Sequence, residues 1–250
     1  MLDPDEELAI AERFGVARAQ VRRDHLISHL LAVLSAHLAD EVLFFGGTAL
    51  SRSFLPDGRL SEDIDLIALA KRDEVADALQ HAVRRGTRRE FPGLTWEPAL
   101  TEVSDVDPAV IRLPDGTTVR VQLLRRTGYP PWPTERRDLV QRYSDAAPAE
   151  LTIPTLESFA AWKTAAWVDR AAPRDLFDLW LLAGLGALDQ GAGALFKRFG
   201  PVNRVPGPEL FATGVDEERW RRELSGQTRL TVTAEEARLT VAGAWARLAG

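Results

Sequence analysis

The chain has 250 residues, of which 45% are hydrophobic and 27% charged, with no cysteine and a net charge of −6. That length suits one large domain or two small ones, and the composition excludes a disordered, collagen-like or low-complexity chain. The missing cysteines exclude disulfides, thiolate-bound zinc, iron–sulfur clusters and thiol catalysis, while the net acidity disfavours a protein that coats nucleic acid and leaves room for a local basic face.

The first ten residues carry Asp3, Asp5, Glu6 and Glu7, the opposite of a secretory signal, so a cytoplasmic protein is expected. The periodicity of Leu26, Ile27, Leu30, Leu31 and Leu34 predicts a helix from Ala9 to Ala39 with one buried stripe. His25 and His29 share a helical spacing, but with no glutamate after the first and no third ligand in view they are read as helix residues. Glu41 to Phe45 reads as a buried strand that runs into Gly46-Gly47, followed by a short helix from Ala49 to Phe54. Ser61 to Leu69 is the next strand and Asp73 to Arg85 the next helix. Val110 to Leu113 and Thr118 to Leu124 flank Pro114-Asp115-Gly116 and form a hairpin. Pro130, Pro131 and Pro133 make a stiff connector near which the domain changes, giving an N-terminal domain over 1–150 and a helical domain over 151–250. Helices are predicted at Thr155 to Val168 and Arg174 to Ala183, and a capping box at Thr233–Glu236 opens a last one. Trp162, Trp167 and Trp180 are read as core. The longest uncharged apolar stretch, Leu179 to Leu188, is about half of what a membrane span requires.

The chemistry concentrates in four places: Gly46-Gly47-Thr48, the pair Asp63 and Asp65, Lys163, and Arg174-Asp175 with Asp178. On an extended strand Asp63 and Asp65 point to the same face, and Ile64 and Leu66 to the other. Two adjacent carboxylates repel unless a cation lies between them, and oxygen-only ligands suit Mg²⁺, with Mn²⁺ as a substitute. A glycine turn just upstream presents backbone N–H groups with no side chains in the way, which suits a phosphate chain. Together these features suit metal-assisted phosphoryl or nucleotidyl transfer.

The stretches Phe44-Phe45-Gly46-Gly47-Thr48-Ala49-Leu50 and Arg59-Leu60-Ser61-Glu62-Asp63-Ile64-Asp65-Leu66 closely resemble the DNA polymerase β-like nucleotidyltransferases of the AbiEii/AbiGii toxin family, from type IV toxin–antitoxin pairs. Lys163 and Pro173-Arg174-Asp175-Leu176-Phe177-Asp178-Leu179 resemble that family's later motifs. The resemblance implies an α+β fold, a nucleotidyltransferase core with a mixed sheet flanked by helices, followed by a helical C-terminal half. It implies an enzyme that transfers NMP from an NTP, in some members to the 3′ end of tRNA, and a cognate antitoxin encoded nearby. Asp63 and Asp65 would then bind metal, and Gly46, Gly47, Thr48, Ser61 and Lys163 the nucleotide. Where the superfamily often has a third carboxylate, Thr118 to Leu124 offers Gln122, and a neutral amide cannot act as a base. Either the base is Asp175 or Asp178, or deprotonation of the acceptor hydroxyl relies on the metal alone.

Arg84, Arg85, Arg88 and Arg89, and Arg125, Arg126, Arg136, Arg137 and Arg142 near the connector, are either a solvated face or a track for an RNA backbone. Without heptads or a long exposed apolar segment, a monomer is expected. Rival readings keep the fold with a protein or small-molecule acceptor, or make the chain a nucleotide-binding module without turnover.

Overall fold

A computed structural model describes residues 1–248 and divides the chain into two compact units, one of Met1–Tyr129 with Glu135–Ile153, the other of Pro130–Thr134 with Pro154 onward. Among the described residues no helix is long and apolar enough to cross a membrane.

The first unit opens with helices α1 (Pro4–Phe14) and α2 (Arg18–Leu38) where the sequence predicts one. Gly15 explains the difference: it adopts the left-handed conformation (φ 66°), donates its N–H to Ala11 O and closes α1, a geometry that glycine reaches without strain. Strand β1 (Val42–Phe45) leads directly into the short helix α3 (Gly46–Ser51), which starts three residues earlier than predicted. Strand β2 (Asp63–Ala68), helix α4 (Arg72–Gly86), strands β3 (Thr95–Trp96), β4 (Ala109–Arg112) and β5 (Thr118–Arg125), then β6 (Thr134–Leu139) and β7 (Ala149–Pro154), complete the order.

The sheet order is β3-β4-β5-β2-β1-β7-β6. β1 and β2 pair antiparallel, as do β4 and β5 across the expected hairpin, whereas β2–β5 and β1–β7 are parallel. The sheet is therefore mixed, with β2 near its centre and Ile64, Leu66 and Ile67 buried. Helices α2 and α4 pack on each other and on β5.

A polar network is buried where α2 meets the end of α3. Arg52, wholly buried, donates to Asp24 Oδ1 (2.8 Å), Asp24 O (2.9 Å), Ser28 Oγ (2.8 Å) and Val140 O (3.0 Å). Arg142 donates to Ser51 O (2.8 Å) and Pro56 O (3.1 Å), and Tyr143 Oη to Asp24 Oδ2 (3.0 Å). Burial lowers the Arg52 pKa to about 10, so its charge survives at neutral pH, and desolvation raises that of Tyr143. Arg142, counted with the surface arginines in the sequence, is thereby a structural clamp.

The second unit consists of α5 (Leu156–Arg170), α6 (Pro173–Gly184), α7 (Gln190–Phe199), a 3₁₀ turn (Pro208–Phe211), α8 (Glu217–Leu224) and α9 (Ala234–Ala246). Thr155 caps α5 at Ser158 N (3.3 Å), and the predicted capping box forms at Thr233 and Glu236. The proline connector docks here: Ser158 Oγ donates to Pro133 O (2.8 Å), and Trp132 stacks on Trp162 at 5.6 Å. Of the three tryptophans predicted as core, Trp167 is buried, and Trp162 and Trp180 are partly exposed. The fold is α+β, with the strands in the first unit and helices alone in most of the second.

Candidate active site

Alternation along β2 puts Asp63 and Asp65 on one face, both half-buried, with Ile64 and Leu66 buried on the other. The antiparallel register sets Asp65 opposite Phe45, the last residue of β1. The next residue, Gly46, has φ +78°, and a Cβ there would overlap the Asp65 carboxylate. Only glycine meets both demands, so the turn is built against this aspartate. A Cβ on Gly47 would overlap the Arg59 guanidinium and approach Ser61 Oγ to 3.1 Å. Gly46, Gly47, Arg59, Ser61 and Asp65 are thus brought together. Thr48 is buried, and its hydroxyl donates to Asp63 O. It ties the glycine turn to the first residue of β2.

Strand β5 lies parallel to β2, with Arg120 opposite Asp63 and Gln122 opposite Asp65. Arg120 grips Asp63 through two hydrogen bonds of 2.9 Å each, and the fork raises the Arg120 pKa. Gln122 does occupy the position beside the acidic pair that the sequence suggested. Its amide donates to Asp105 O (3.3 Å) and Val106 O (3.1 Å), holding the loop after Leu100 whose Asp105 also pairs with Arg72 (3.1 Å).

Two cations at this site escaped the sequence reading. Arg59 belongs to the motif but received no role, although its spacing of two from Ser61 and four from Asp63 could have suggested one. Arg120 sits across a parallel pairing that local sequence does not announce.

Lys163, Asp175 and Asp178 form a cluster of their own within the second unit. Lys163 Nζ lies 3.1 Å from Asp175 Oδ1 and 2.7 Å from Asp178 Oδ2, and Arg170 Nε 2.7 Å from Asp175 Oδ2. Lys163 and Arg170 are two turns apart on α5, and Asp175 and Asp178 share a face of α6. The link between the helices closes at Ala171, whose φ is 45°. Burial alone would raise the Asp175 pKa; the charges of Lys163 and Arg170 and their hydrogen bonds overcome it and hold the carboxyl at about 2. A carboxylate held that low is a weak proton acceptor. Lys163, nearly buried, is clamped between carboxylates and does not snorkel into solvent.

A family model described as nucleotidyl transferase AbiEii toxin, type IV TA system, matches residues 29–246. The chain belongs to this family. It is a nucleotidyltransferase of the AbiEii toxin group, and the resemblance seen in its motifs holds over most of its length. Among solved structures, it is similar to MenT4, a nucleotidyltransferase toxin from Mycobacterium tuberculosis H37Rv, with a TM-score of 0.68 and 21% identity over 96% of this chain and 88% of that one. It is also similar to an H. pylori protein described as a candidate nucleotidyltransferase, with a TM-score of 0.53 and 16% identity over 92% and 94%. Both likenesses concern the fold. No curated protein matches the sequence.

Proposed function

We propose that this AbiEii-family enzyme acts in the cytoplasm and transfers NMP from an NTP to an RNA acceptor, foremost the 3′ end of tRNA, with a divalent cation held by Asp63 and Asp65. The observation that carries the reading is the packing of Gly46 against Asp65: a strand delivers a turn with no side chain directly onto one of two carboxylates that share a face. Oxygen donors beside a cradle that a Cβ would fill suit Mg²⁺, with Mn²⁺ as a substitute. When bound, the ion supplies charge neutralisation for the phosphates.

The remaining roles fall to the chain's own groups. The backbone N–H groups of Gly46 to Thr48 and the Ser61 hydroxyl face the phosphate chain, and Arg59 and Arg120 supply positive charge beside it. The acceptor hydroxyl oxygen forms a bond to the α-phosphorus as the bond to pyrophosphate breaks, and the hydroxyl proton passes to solvent water as pyrophosphate leaves. For Lys163 the nucleotide-binding role rests on its resemblance to the family's later lysine motif alone, and Asp175 and Asp178 hold its ammonium within the second unit. This replaces the sequence reading of the two aspartates as general bases, because Asp175 is already ion-paired twice. The exposed Arg84, Arg85, Arg88 and Arg89 at the end of α4 support an RNA backbone as partner. In this reading a monomeric toxin is neutralised by an antitoxin encoded nearby, without a large stable complex.

Incubation with each α-labelled NTP and Mg²⁺, with and without total tRNA, tests the proposal. Label on RNA is expected. Label on protein or a small molecule would replace the acceptor, and nucleotide binding with no transfer to any acceptor would overturn the reading.

A further inference from the structure

His25 and His29 are not simply helix residues. Their ring nitrogens converge on a third group that lies 120 residues beyond His25 in the chain: His25 Nε2 is 3.0 Å from Asp145 Oδ1, His29 Nε2 is 3.4 Å from the same oxygen, and the two Nε2 atoms are 3.2 Å apart. The imidazole side chains are only 5% and 11% exposed, and Asp145 is 22% exposed.

We propose that His25, His29 and Asp145 form a second divalent-metal site, sharing no residue with the candidate active site and suited to a borderline ion such as Zn²⁺. Protons satisfy this triangle poorly. A neutral imidazole carries one ring N–H. If His25 Nε2 bears it and donates to Asp145, it cannot accept from His29; if it accepts from His29, it has no N–H to donate to the carboxylate. A cation at the centre satisfies all three lone pairs at once.

The dimensions agree. Ligands at about 2.0 to 2.1 Å from a tetrahedral Zn²⁺ stand roughly 3.3 Å apart, and the three edges here are 3.0, 3.2 and 3.4 Å. The donor set of two imidazoles and a carboxylate is one that zinc uses with a fourth position open to water. Room for that ligand exists in a cavity of about 270 Å³ lined by His25, Glu90 and Phe91 among others. The rings of Phe91 (5.5 Å from His25, 5.2 Å from His29) and Tyr143 (5.0 Å from His25) make the other walls apolar. Asp145 Oδ1 lies within reach of both imidazoles, while Oδ2, 3.1 Å from His25 Nε2, also accepts from the Met1 ammonium at 2.8 Å. A bound ion would pin the segment around Asp145 to α2, next to the Arg142 and Tyr143 clamp.

The test uses the full chain carrying Asp63→Asn and Asp65→Asn, so that the candidate active site adds no metal, stripped with chelator and dialysed against Zn²⁺ or Co²⁺. One tightly held ion per chain is expected, with the visible d–d bands of tetrahedral Co²⁺, and saturating Zn²⁺ should raise Tm by several degrees. Asp145→Asn, which keeps shape and hydrogen bonding, and His29→Ala should each weaken binding by at least about 100-fold and abolish the Tm rise, with circular dichroism confirming the fold. Failure of the parent to retain zinc would overturn the proposal. So would equal zinc content in folded Asp145→Asn and His29→Ala, which would mark the metal as adventitious. Neither result bears on nucleotidyl transfer.

Discussion

Asp63 and Asp175 each accept a two-pronged hydrogen bond from an arginine, but the surroundings of the two pairs differ. The Asp63 side chain is 24% exposed and its partner Arg120 54% exposed, whereas Asp175 is wholly buried with Lys163, itself only 10% exposed, as a second partner. An exposed fork is worth little, about 0 to 1 kcal/mol, so Asp63 can exchange Arg120 for another cation at small cost. A buried carboxylate between two cations cannot, because losing either partner strands a charge away from water. The comparison separates a carboxylate paired at the surface from one locked in a buried cluster, although the sequence presents both as acids within conspicuous motifs.

The largest effect expected from this contrast is on turnover. Asp63→Asn and Asp65→Asn should each lower nucleotidyl transfer by roughly 10³-fold or more, equivalent to about 4 kcal/mol of transition-state stabilisation. Tm should stay within a few degrees of wild type, since the amide keeps the shape against Gly46 and Asp63 gives up only an exposed pair. Single-turnover rates and thermal denaturation read the two quantities, and transfer within threefold of wild type in either variant would break the comparison.

Asp175 should behave in the reverse sense, on stability. Its folded pKa of about 2 lies below the ordinary 3.8. A depressed carboxylate stabilises the fold at pH values above about 4, and that contribution, about 2 kcal/mol, is lost as pH falls from about 4 toward 2. Asp175→Asn should cost on the order of 2 kcal/mol near neutrality, the contribution of the depressed carboxylate, since Lys163 keeps Asp178 as a partner and Arg170 is largely in solvent, and should flatten this acid limb. Denaturant midpoints from pH 2 to 6 for both proteins provide the difference; parallel curves would show that Asp175 is not held as described.

These residues also show what the sequence can reveal. Asp63 and Asp65 are legible because strand alternation is local, and Gly46 because a glycine pair after an apolar run marks a turn. The reason Gly46 must be glycine is not legible, since it rests on a side chain in the neighbouring strand. The single helix predicted from Ala9 fails for the opposite reason: one glycine within a periodic run outweighs the period. Strand β6, Thr134–Leu139, lies at the sheet edge with polar residues on both faces, and β3 has two residues. Neither leaves a hydrophobic pattern to read. Arg120 beside Asp63 and Asp145 beside the two histidines depend on pairings 57 and 120 residues apart, and no spacing within the sequence encodes them.

The smallest effect, and the one that sharpens the contrast most, concerns Arg120. Because it grips Asp63 from a position largely in solvent, Arg120→Ala should change stability by less than about 1 kcal/mol, where Asp175→Asn costs more. Its influence should appear in ligand requirements instead. With the fork gone, Asp63 has no guanidinium to displace, so the Mg²⁺ concentration for half-maximal transfer should fall, by roughly two- to fivefold if the released pair was worth about 0.5 to 1 kcal/mol. In the proposed site Arg120 also lends charge to the phosphates once Asp63 has turned to the metal, so the NTP KM should rise in the same variant. A lower metal requirement together with a higher KM identifies Arg120 as a cation that changes partners during the cycle. A loss of stability comparable to that of Asp175→Asn, with both requirements unchanged, would place the Asp63 fork among the architectural pairs and remove the distinction drawn between the two aspartates.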